Sequence, residues 1–170
     1  VSKPFAGLKV ALSVHLEAKT AYLCRVMAAG GAEMYITGSN PLSTQDDVAA
    51  ALVHSGLNVF AWHGATAEEY HTHTAEVIKI APNVIIDDGG DLVHLMHTEF
   101  TDLIPQVIGG CEETTTGIHR LLERGVKHLL DGPDPRIVIG AIPLVIAGIG
   151  FREVERPIFL RMVEIGRAHV

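Results

Sequence analysis

The amino-acid sequence predicts an α/β fold, specifically a Rossmann-like three-layer sandwich built on a mostly parallel sheet. Short apolar segments rich in β-branched residues alternate with longer segments whose apolar residues recur at helical spacing. The connections between them are short and rich in Gly, Pro, Ser and Asp, which favour turns. Regular alternation of strands and helices is typical of a parallel sheet that is covered by helices on both faces.

The elements follow one another in strand-helix order. Strands are predicted at 8–13, 32–37, 58–62, 84–86 and 106–108, and helices at 18–29, 43–54, 66–80, 92–100 and 112–124. Gly30 and Gly125 stand where a residue that tolerates left-handed backbone ends a helix. Ser43 and Asp91 stand where a side-chain oxygen can cap the second and fourth helices.

Residues 1–125 are therefore expected to form one α/β domain, which suits a chain of 170 residues. After residue 125 the alternation is lost, and turn-forming residues at 131–135 precede a mixed apolar segment. Gly148 and Gly150 begin a Gly-rich dinucleotide-binding motif, but Glu153 occupies the position of its third glycine. We expect residues 126–170 to be a degraded or chimeric segment without a complete cofactor domain.

Composition and charge argue against several classes of function. The formal net charge of −7 disfavours a nucleic-acid backbone as partner, and the longest apolar run, 137–149, is too short and too interrupted to span a bilayer. Cys24 and Cys111 have neither disulfide nor metal-ligand spacing, which favours a reducing, cytoplasmic location. His71 and His73 would point apart on a helix, so we expect both at the surface and predict no metal site.

Four polar clusters follow predicted strands, at 15–20, 38–46, 87–91 and 112–117. For the clusters at 15–20 and 38–46, a capped helix or a polar loop is the alternative to a binding site, and for 87–91 alone a helix cap is favoured over catalysis. The carboxyl ends of parallel strands, however, meet at one edge of a sheet, which is where open α/β sheets bind ligands. The sequence therefore predicts that the four clusters converge on one site.

Asp87 and Asp88 are adjacent carboxylates directly after a strand of three β-branched residues. Repulsion and burial are expected to raise the pKa of at least one of them, which suits acid-base chemistry. The alternative is that Asp87 and Asp91 only cap the following helix. The run of three threonines at 114–116 disfavours a helix by propensity and indicates selection for hydrogen bonding.

Taken together, these clusters resemble the substrate-binding domain of the S-adenosylhomocysteine hydrolase (adenosylhomocysteinase) family. The resemblance covers residues 4–122 and is carried by Asp-Asp-Gly-Gly-Asp-Leu at 87–92, His-Thr at 97–98, Glu-Glu-Thr-Thr-Thr-Gly at 112–117, Ser-Thr-Gln-Asp at 43–46 and Phe-Ala-Trp at 60–62. It implies an NAD-dependent, reversible hydrolysis of S-adenosylhomocysteine to adenosine and homocysteine, and a homo-oligomeric enzyme.

The resemblance also implies roles for individual residues. Asp88 is implied in acid-base work near the departing thiol, assisted by His15, and Glu113 in holding the ribose hydroxyls. The implied substrate-binding residues are Glu17, Lys19, Thr20 and Gln45, and the implied cofactor-binding residues are Thr114, Thr115 and Thr116.

Two departures from the family pattern affect these expectations. Glu17 and Lys19 stand where many members have Thr and Glu reading the purine, a variant that resembles archaeal and thermophilic-bacterial relatives. A lysine donor favours a purine carbonyl over an amino group, so a preference for S-inosylhomocysteine is one alternative. After Leu122 the family's Asn-Asp-x-x-Thr-Lys segment and a complete NAD domain are missing. We therefore expect a truncated member that is inactive alone, the other alternative being a non-catalytic nucleoside-binding fragment.

Overall fold

The computed structural model of the protein describes residues 3–123. The predictions made for residues 124–170, including the apolar segment and the incomplete Gly-rich motif, lie outside the described residues. Within them the chain alternates strands with helices, as the sequence predicts. No helix of this described part is long and apolar enough to cross a membrane.

The secondary structure consists of five strands, five α-helices and one 3-10 helix in the described residues. The strands are β1 (Lys9–Ser13), β2 (Glu33–Thr37), β3 (Asn58–Val59), β4 (Val84–Asp87) and β5 (Gly109–Glu112). The helices are α1 (Ala18–Ala29), α2 (Asp46–His54), α3 (Ala67–Lys79), α4 (Asp91–Glu99) and α5 (Thr115–Glu123), with the 3-10 helix at Thr101–Gln106.

The five strands form one sheet in the order β3-β2-β1-β4-β5, and every neighbouring pair is parallel. Ser13 of β1 lies beside Thr37 of β2 on one side and Asp87 of β4 on the other, and Asp87 lies beside Glu112 of β5. The strand order reverses between β1 and β4, which is the position where such sheets form a ligand crevice. The predicted α/β, Rossmann-like fold is confirmed.

Two apolar clusters on opposite faces of the sheet give the structure its three layers. On one face, Leu12 and Ile86 belong to a cluster with residues of α1 and α2. On the other face, Ala11 and Ile85 belong to a cluster with residues of α3 and α4. Because successive side chains of a strand point to opposite faces, β1 and β4 contribute to both clusters. The middle residues of β1 and β4 are thus apolar on both faces, and Ser13 and Asp87 stand at the carboxyl ends of these strands.

The fifth strand was predicted at the wrong place. The sequence favours 106–108, but Gln106 ends the 3-10 helix, and β5 is the segment Gly-Gly-Cys-Glu at 109–112. This segment has no β-branched residue, and it is a strand because it pairs with β4 from Val84 to Asp87. The predicted start of the last helix at residue 112 is wrong for the same reason, since Glu112 belongs to β5.

Both predicted N-caps, Ser43 and Asp91, are wrong, whereas α1 does end at Gly30. The N-cap of α2 is Gln45, without a side-chain capping bond, and Ser43 contacts His15 instead. The N-cap of α4 is Gly90 in left-handed conformation, so Asp91 is already the first helical residue. The amide of Val93 at the third position of α4, which an N-cap side chain normally satisfies, donates to Asp87 Oδ2 at 3.1 Å.

Candidate functional site

Asp87 and Asp88 diverge at the end of β4. The Asp87 side chain is fully buried, and its two oxygens accept the backbone amides of Asp88 at 3.0 Å and Val93 at 3.1 Å. The Asp88 side chain is 10% exposed and faces the loops that follow β1 and β2. Asp87 therefore supports the turn, and Asp88 is the carboxylate that the turn presents.

Asp88 Oδ2 is the atom at which three loops meet. It accepts the Ser39 hydroxyl at 3.0 Å, and Ser39 belongs to the loop after β2. His15 Nε2, from the loop after β1, lies 3.6 Å from the same oxygen, close enough for an ion pair when the imidazole is protonated. Because one partner is a fixed donor and the other a titratable ring, the carboxylate is held in position next to a group that can exchange a proton with a ligand.

His15 is held in its orientation from both ends. Its Nδ1 lies 2.5 Å from Ser43 Oγ, and the second ring nitrogen is left facing Asp88. Its backbone carbonyl accepts the hydroxyl of the buried Thr20 at 2.6 Å, which ties the loop to the first turn of α1. The imidazole itself is about half exposed, so a ligand in the crevice can reach it. Thr20, predicted to bind substrate, thus also holds the His15 backbone.

The loop after β5 is fastened to the loop after β4. The Glu113 amide donates to the Asp87 carbonyl at 2.9 Å, and Glu112 Oε1 accepts the Gly89 amide at 2.8 Å. The Thr114 hydroxyl donates to Glu112 Oε1 at 2.7 Å and accepts the Gly117 amide at 2.9 Å, which makes Thr114 a capping residue of α5. Of the predicted cofactor residues, Thr115 and Thr116 are exposed in the first turn of that helix.

Glu113 lies within the electrostatic reach of three other predicted site residues. Desolvation is the largest cause that raises the pKa of Glu113, and the nearby Asp88 carboxylate raises it further. His15 and Lys19 act in the opposite direction. The clusters after β1, β4 and β5 therefore meet at one place, which is the convergence expected from the sequence.

Glu17, Lys19 and Gln45 lie at the exposed rim of this site. The Lys19 ammonium is 3.0 Å from Glu17 Oε1, and this bond raises the pKa of the fully exposed Lys19. Gln45 is exposed, and its backbone amide donates to the Leu16 carbonyl at 3.1 Å, which joins the loop after β2 to the loop after β1. The three residues therefore flank the crevice without being fixed by core contacts.

Burial raises the pKa of Asp87 to about 8, and the Glu112 and Asp91 carboxylates add to the effect. The backbone amides of Val93 and Asp88 act against it by stabilising the charged form. The raised pKa expected for one of the two adjacent carboxylates thus belongs to Asp87, the residue that lies beneath the crevice.

Sequence reasoning placed Ser39 in the cluster at 38–46 without a role of its own, assigned only a cap to Ser43, and gave no separate role to Glu112. The first two stand in a loop after a strand, which is the signal that could have identified them. His73 is a further correction, because it is buried and packs edge-on against Trp62 with ring centroids 4.0 Å apart. In residues 3–123, no group of three or more His, Cys, Asp and Glu side chains is arranged to hold a metal ion.

The fold and the site define a class. The protein is a Rossmann-like domain whose polar crevice, with a carboxylate and an imidazole in contact, lies at the carboxyl ends of its parallel strands. A sequence model of the S-adenosyl-L-homocysteine hydrolase family matches residues 1–101. The chain belongs to this family, as the sequence resemblance predicted.

Several archaeal proteins are similar to the chain. It is 58% identical to the S-inosyl-L-homocysteine hydrolase of Methanococcus maripaludis, over 77% of this chain and 32% of that protein. It is 55% identical to the protein of the same name from Methanocaldococcus jannaschii, over 70% and 29%. It is 50% identical to the adenosylhomocysteinase of Pyrococcus abyssi, over 70% and 28%. The chain thus spans about a third of the length of these curated relatives.

A solved hydroxysteroid dehydrogenase from Escherichia coli also aligns with the chain. The alignment covers 79% of this chain and 70% of the other, with a TM-score of 0.41 and 13% sequence identity.

Proposed function

We propose that residues 1–125 form the substrate-binding domain of an NAD-dependent hydrolase that reversibly splits S-adenosylhomocysteine, or its inosyl analogue, into the nucleoside and homocysteine. The observation that carries the proposal is the contact of Asp88 with His15 and Ser39 at the strand-order reversal, in a chain of this family. Carboxylate and imidazole together can accept and return a proton, which reversible elimination and addition of a thiol require.

Each predicted residue then has a task. Asp88, assisted by His15, exchanges a proton with the departing or adding thiol, and Ser39 keeps the carboxylate in place. Glu113, near Asp88 but on the opposite loop, accepts the ribose hydroxyls, since an ionised carboxylate offers acceptors only. The rim residues Glu17, Lys19 and Gln45 contact the purine or the sugar, as does the buried Thr20.

The residues described fit NAD in part. Thr115 and Thr116 are exposed at the start of α5, where the first amides of a helix have no partner within the helix and suit the polar groups of a dinucleotide. Thr114 would contact the cofactor while its hydroxyl keeps its bonds to Glu112 and Gly117. When bound, NAD would supply reversible oxidation of the ribose 3′-hydroxyl, which acidifies the neighbouring C4′ proton.

The Asp88→Asn variant tests the assignment of the site. We expect purified chain to bind adenosine or inosine in a calorimeter, and the variant to bind at least about tenfold more weakly, which corresponds to about 1.4 kcal/mol. Asp102→Asn, which changes an exposed carboxylate of the 3-10 helix, is the matched control and should bind like the parent. If Asp88→Asn loses thermal stability and affinity together, Asp88 is a structural residue and the assignment is wrong.

We further propose that the 170-residue chain binds nucleoside without turnover. The only Gly-rich motif after the domain, at 148–153, is incomplete and leaves little to hold NAD. Incubation of the chain with S-adenosylhomocysteine and NAD, with a thiol reagent to detect homocysteine, should give no release above the blank. Release at a rate proportional to chain concentration would contradict this second proposal and support the first.

A preference for the inosyl substrate is the second candidate. Two observations favour it: the Glu17–Lys19 pair at the rim, and the S-inosyl-L-homocysteine hydrolases among the similar proteins. A lysine ammonium can donate to the carbonyl of hypoxanthine but cannot accept a bond from the amino group of adenine. We expect inosine to bind more tightly than adenosine, and Lys19→Gln to reduce that ratio. Equal affinities in the parent chain would remove this candidate.

A further inference from the structure

Glu112 is an almost fully buried carboxylate beneath the crevice, with 1% of its surface exposed. One of its oxygens, Oε1, accepts three donors: the Gly89 amide at 2.8 Å, the Thr114 amide at 2.9 Å and the Thr114 hydroxyl at 2.7 Å. These donors belong to two different loops. A carboxylate is suited to such a position, because it has two oxygens, only accepts, and binds each donor more strongly than a neutral acceptor does.

The two loops carry the two carboxylates that face the ligand. Asp88 precedes Gly89 in the loop after β4, and Glu113 precedes Thr114 in the loop after β5. We propose that Glu112 is a positioning residue that fixes Asp88 and Glu113 relative to one another by clamping their loops through one carboxylate oxygen. The proposal rests on the proposed function for the roles of these two residues, but the clamp itself is a property of the free protein.

The glycine of the same motif supports the assignment. A Cβ atom added at Gly117 would lie 2.3 Å from the Cδ atom of Glu112 and as close to Oε1. Real Cβ contacts are never that short, so any other residue at 117 would displace the buried carboxylate. A glycine at the third position of α5 costs helix stability, and the position of Glu112 supplies the reason for it.

The charge of Glu112 also affects the pKa of Asp87. Its second oxygen, Oε2, is buried without a hydrogen-bond partner, and Asp87 is its neighbour in the sheet register. The charged groups that raise the pKa of Asp87 are Glu112 from β5 and Asp91 from α4. The Asp87 carboxylate in turn raises the pKa of Tyr70 from α3. Removing the charge of Glu112 without changing its shape will therefore make Asp87 easier to ionise.

The test compares Glu112→Gln and Glu112→Ala with Thr66→Ala, which removes the cap of α3 but none of the bonds to Glu112 and serves as the matched destabilised control. Calorimetric affinity for inosine and adenosine is measured at a temperature where all variants are folded. We expect Glu112→Ala to bind at least about tenfold more weakly, and Thr66→Ala to bind like the parent. Glu112→Gln keeps an oxygen for the three donors and should recover affinity to within about threefold.

Glu112→Gln should also shift the alkaline limb of the stability profile, which reports Asp87, to lower pH. Gly117→Ala completes a double-mutant cycle. In the parent chain it should weaken binding about as much as Glu112→Ala does, and in the Glu112→Ala background it should have no further effect. Additive losses, parent-like affinity in Glu112→Ala, or no recovery in Glu112→Gln would each overturn the proposal.

A ligand-free measurement separates this proposal from the proposed function. The Glu113 amide bonds the Asp87 carbonyl rather than Glu112, so its hydrogen exchange reports how closely the loops approach. We expect exchange at Glu113 to be at least about tenfold faster in Glu112→Ala and unchanged in Thr66→Ala. If the parent chain binds no nucleoside, the proposed function fails while this exchange result still decides the clamp. Unchanged exchange at Glu113 in Glu112→Ala would refute it.

Discussion

Asp87 makes the stability of the domain depend on pH in a direction opposite to that of an ordinary carboxylate. An aspartate in an ion pair ionises more readily when folded, so its protein gains stability as pH rises. Asp87 is fully buried beside Glu112, and its pKa is about 8 in the folded protein in place of the ordinary 3.8. The unfolded chain therefore loses this proton at lower pH than the folded chain does.

The sign and size follow from proton linkage. Between the two pKa values the folded state holds one more proton, so raising the pH favours the unfolded state. The stabilising contribution is fully present below about pH 3.8 and is lost as the pH rises through about 8. The whole difference corresponds to about 6 kcal/mol at about 1.36 kcal/mol per tenfold change in proton affinity. About 1.5 to 2 kcal/mol of it falls between about pH 6.5 and pH 8.

Urea unfolding of the parent chain and of Asp87→Asn at several pH values tests this reasoning. Asn cannot ionise, so the free energy of unfolding of the variant should stay nearly level between about pH 6.5 and pH 8, where the parent loses about 1.5 to 2 kcal/mol. The variant will be less stable at acidic pH, because an amide group offers one acceptor where the Asp88 and Val93 amides need two. The test compares how the free energy of unfolding changes with pH in the two proteins, so a constant difference in stability between them does not affect it.

The window is chosen so that other groups contribute little. Burial lowers the pKa of His73, which affects stability at and below its ordinary value of 6.5, and the pKa of Cys24 is raised from 9.0 to about 12, which acts at higher pH. Equal slopes for the parent and Asp87→Asn would refute the assignment of the raised pKa to Asp87. A parent slope that rises with pH would refute the sign.

Two further predictions concern the helices and loops around the site. Thr66→Ala removes the hydroxyl that accepts the Glu69 amide in a capping box, whose other bond, from the Thr66 amide to the Glu69 carboxylate, uses the backbone and remains possible. The variant should lower the free energy of unfolding by about 0.5 to 2 kcal/mol in urea titrations. Tyr70→Phe removes a hydroxyl that donates to Asp91 Oδ2 at 2.9 Å and lies 3.3 Å from the Ser39 carbonyl, and should cost about 1 to 3 kcal/mol. Thr66→Ser should keep most of the stability that Thr66→Ala loses. If Tyr70→Phe loses no stability, water replaces the hydroxyl and the expected cost is wrong.

The order of the elements and the convergence of the polar clusters could be predicted because they rest on strong local signals. Glycine and proline mark where strands and helices end, and β-branched residues mark the strands themselves. Each of these signals depends on only a few neighbouring residues. Parallel connection then brings every segment after a strand to the same edge, without any knowledge of contacts. Asp88, His15 and Glu113 could therefore be grouped before their distances were known, and the structure brings them together.

The position of β5 could not be predicted because its signal is not local. The segment 109–112 has two glycines, one cysteine and one glutamate, which local propensity assigns to a turn. It becomes a strand because the edge of β4 would otherwise leave unpaired backbone groups. Gly117 of α5 then allows that helix to pack close to Glu112. With β5 at 109–112, Glu112 is the last residue of a buried strand and not the first residue of a helix. It is therefore a buried acceptor beneath the crevice and not an exposed helix residue.

The division of work between Asp87 and Asp88 was hidden for a related reason. In a strand with one solvated face, the alternation of apolar and polar residues tells which side chains point inward. All four residues of β4 are buried, since helices cover both faces of the sheet, so its sequence carries no such alternation. Either aspartate could have faced the crevice. The contacts that decide come from four other elements or loops. Val93 and Glu112 act on Asp87, and Ser39 and His15 contact Asp88. The raised pKa therefore belongs to Asp87 and the carboxylate that faces the crevice belongs to Asp88. Asp87→Asn tests the stability of the fold, whereas Asp88→Asn tests the chemistry of the site.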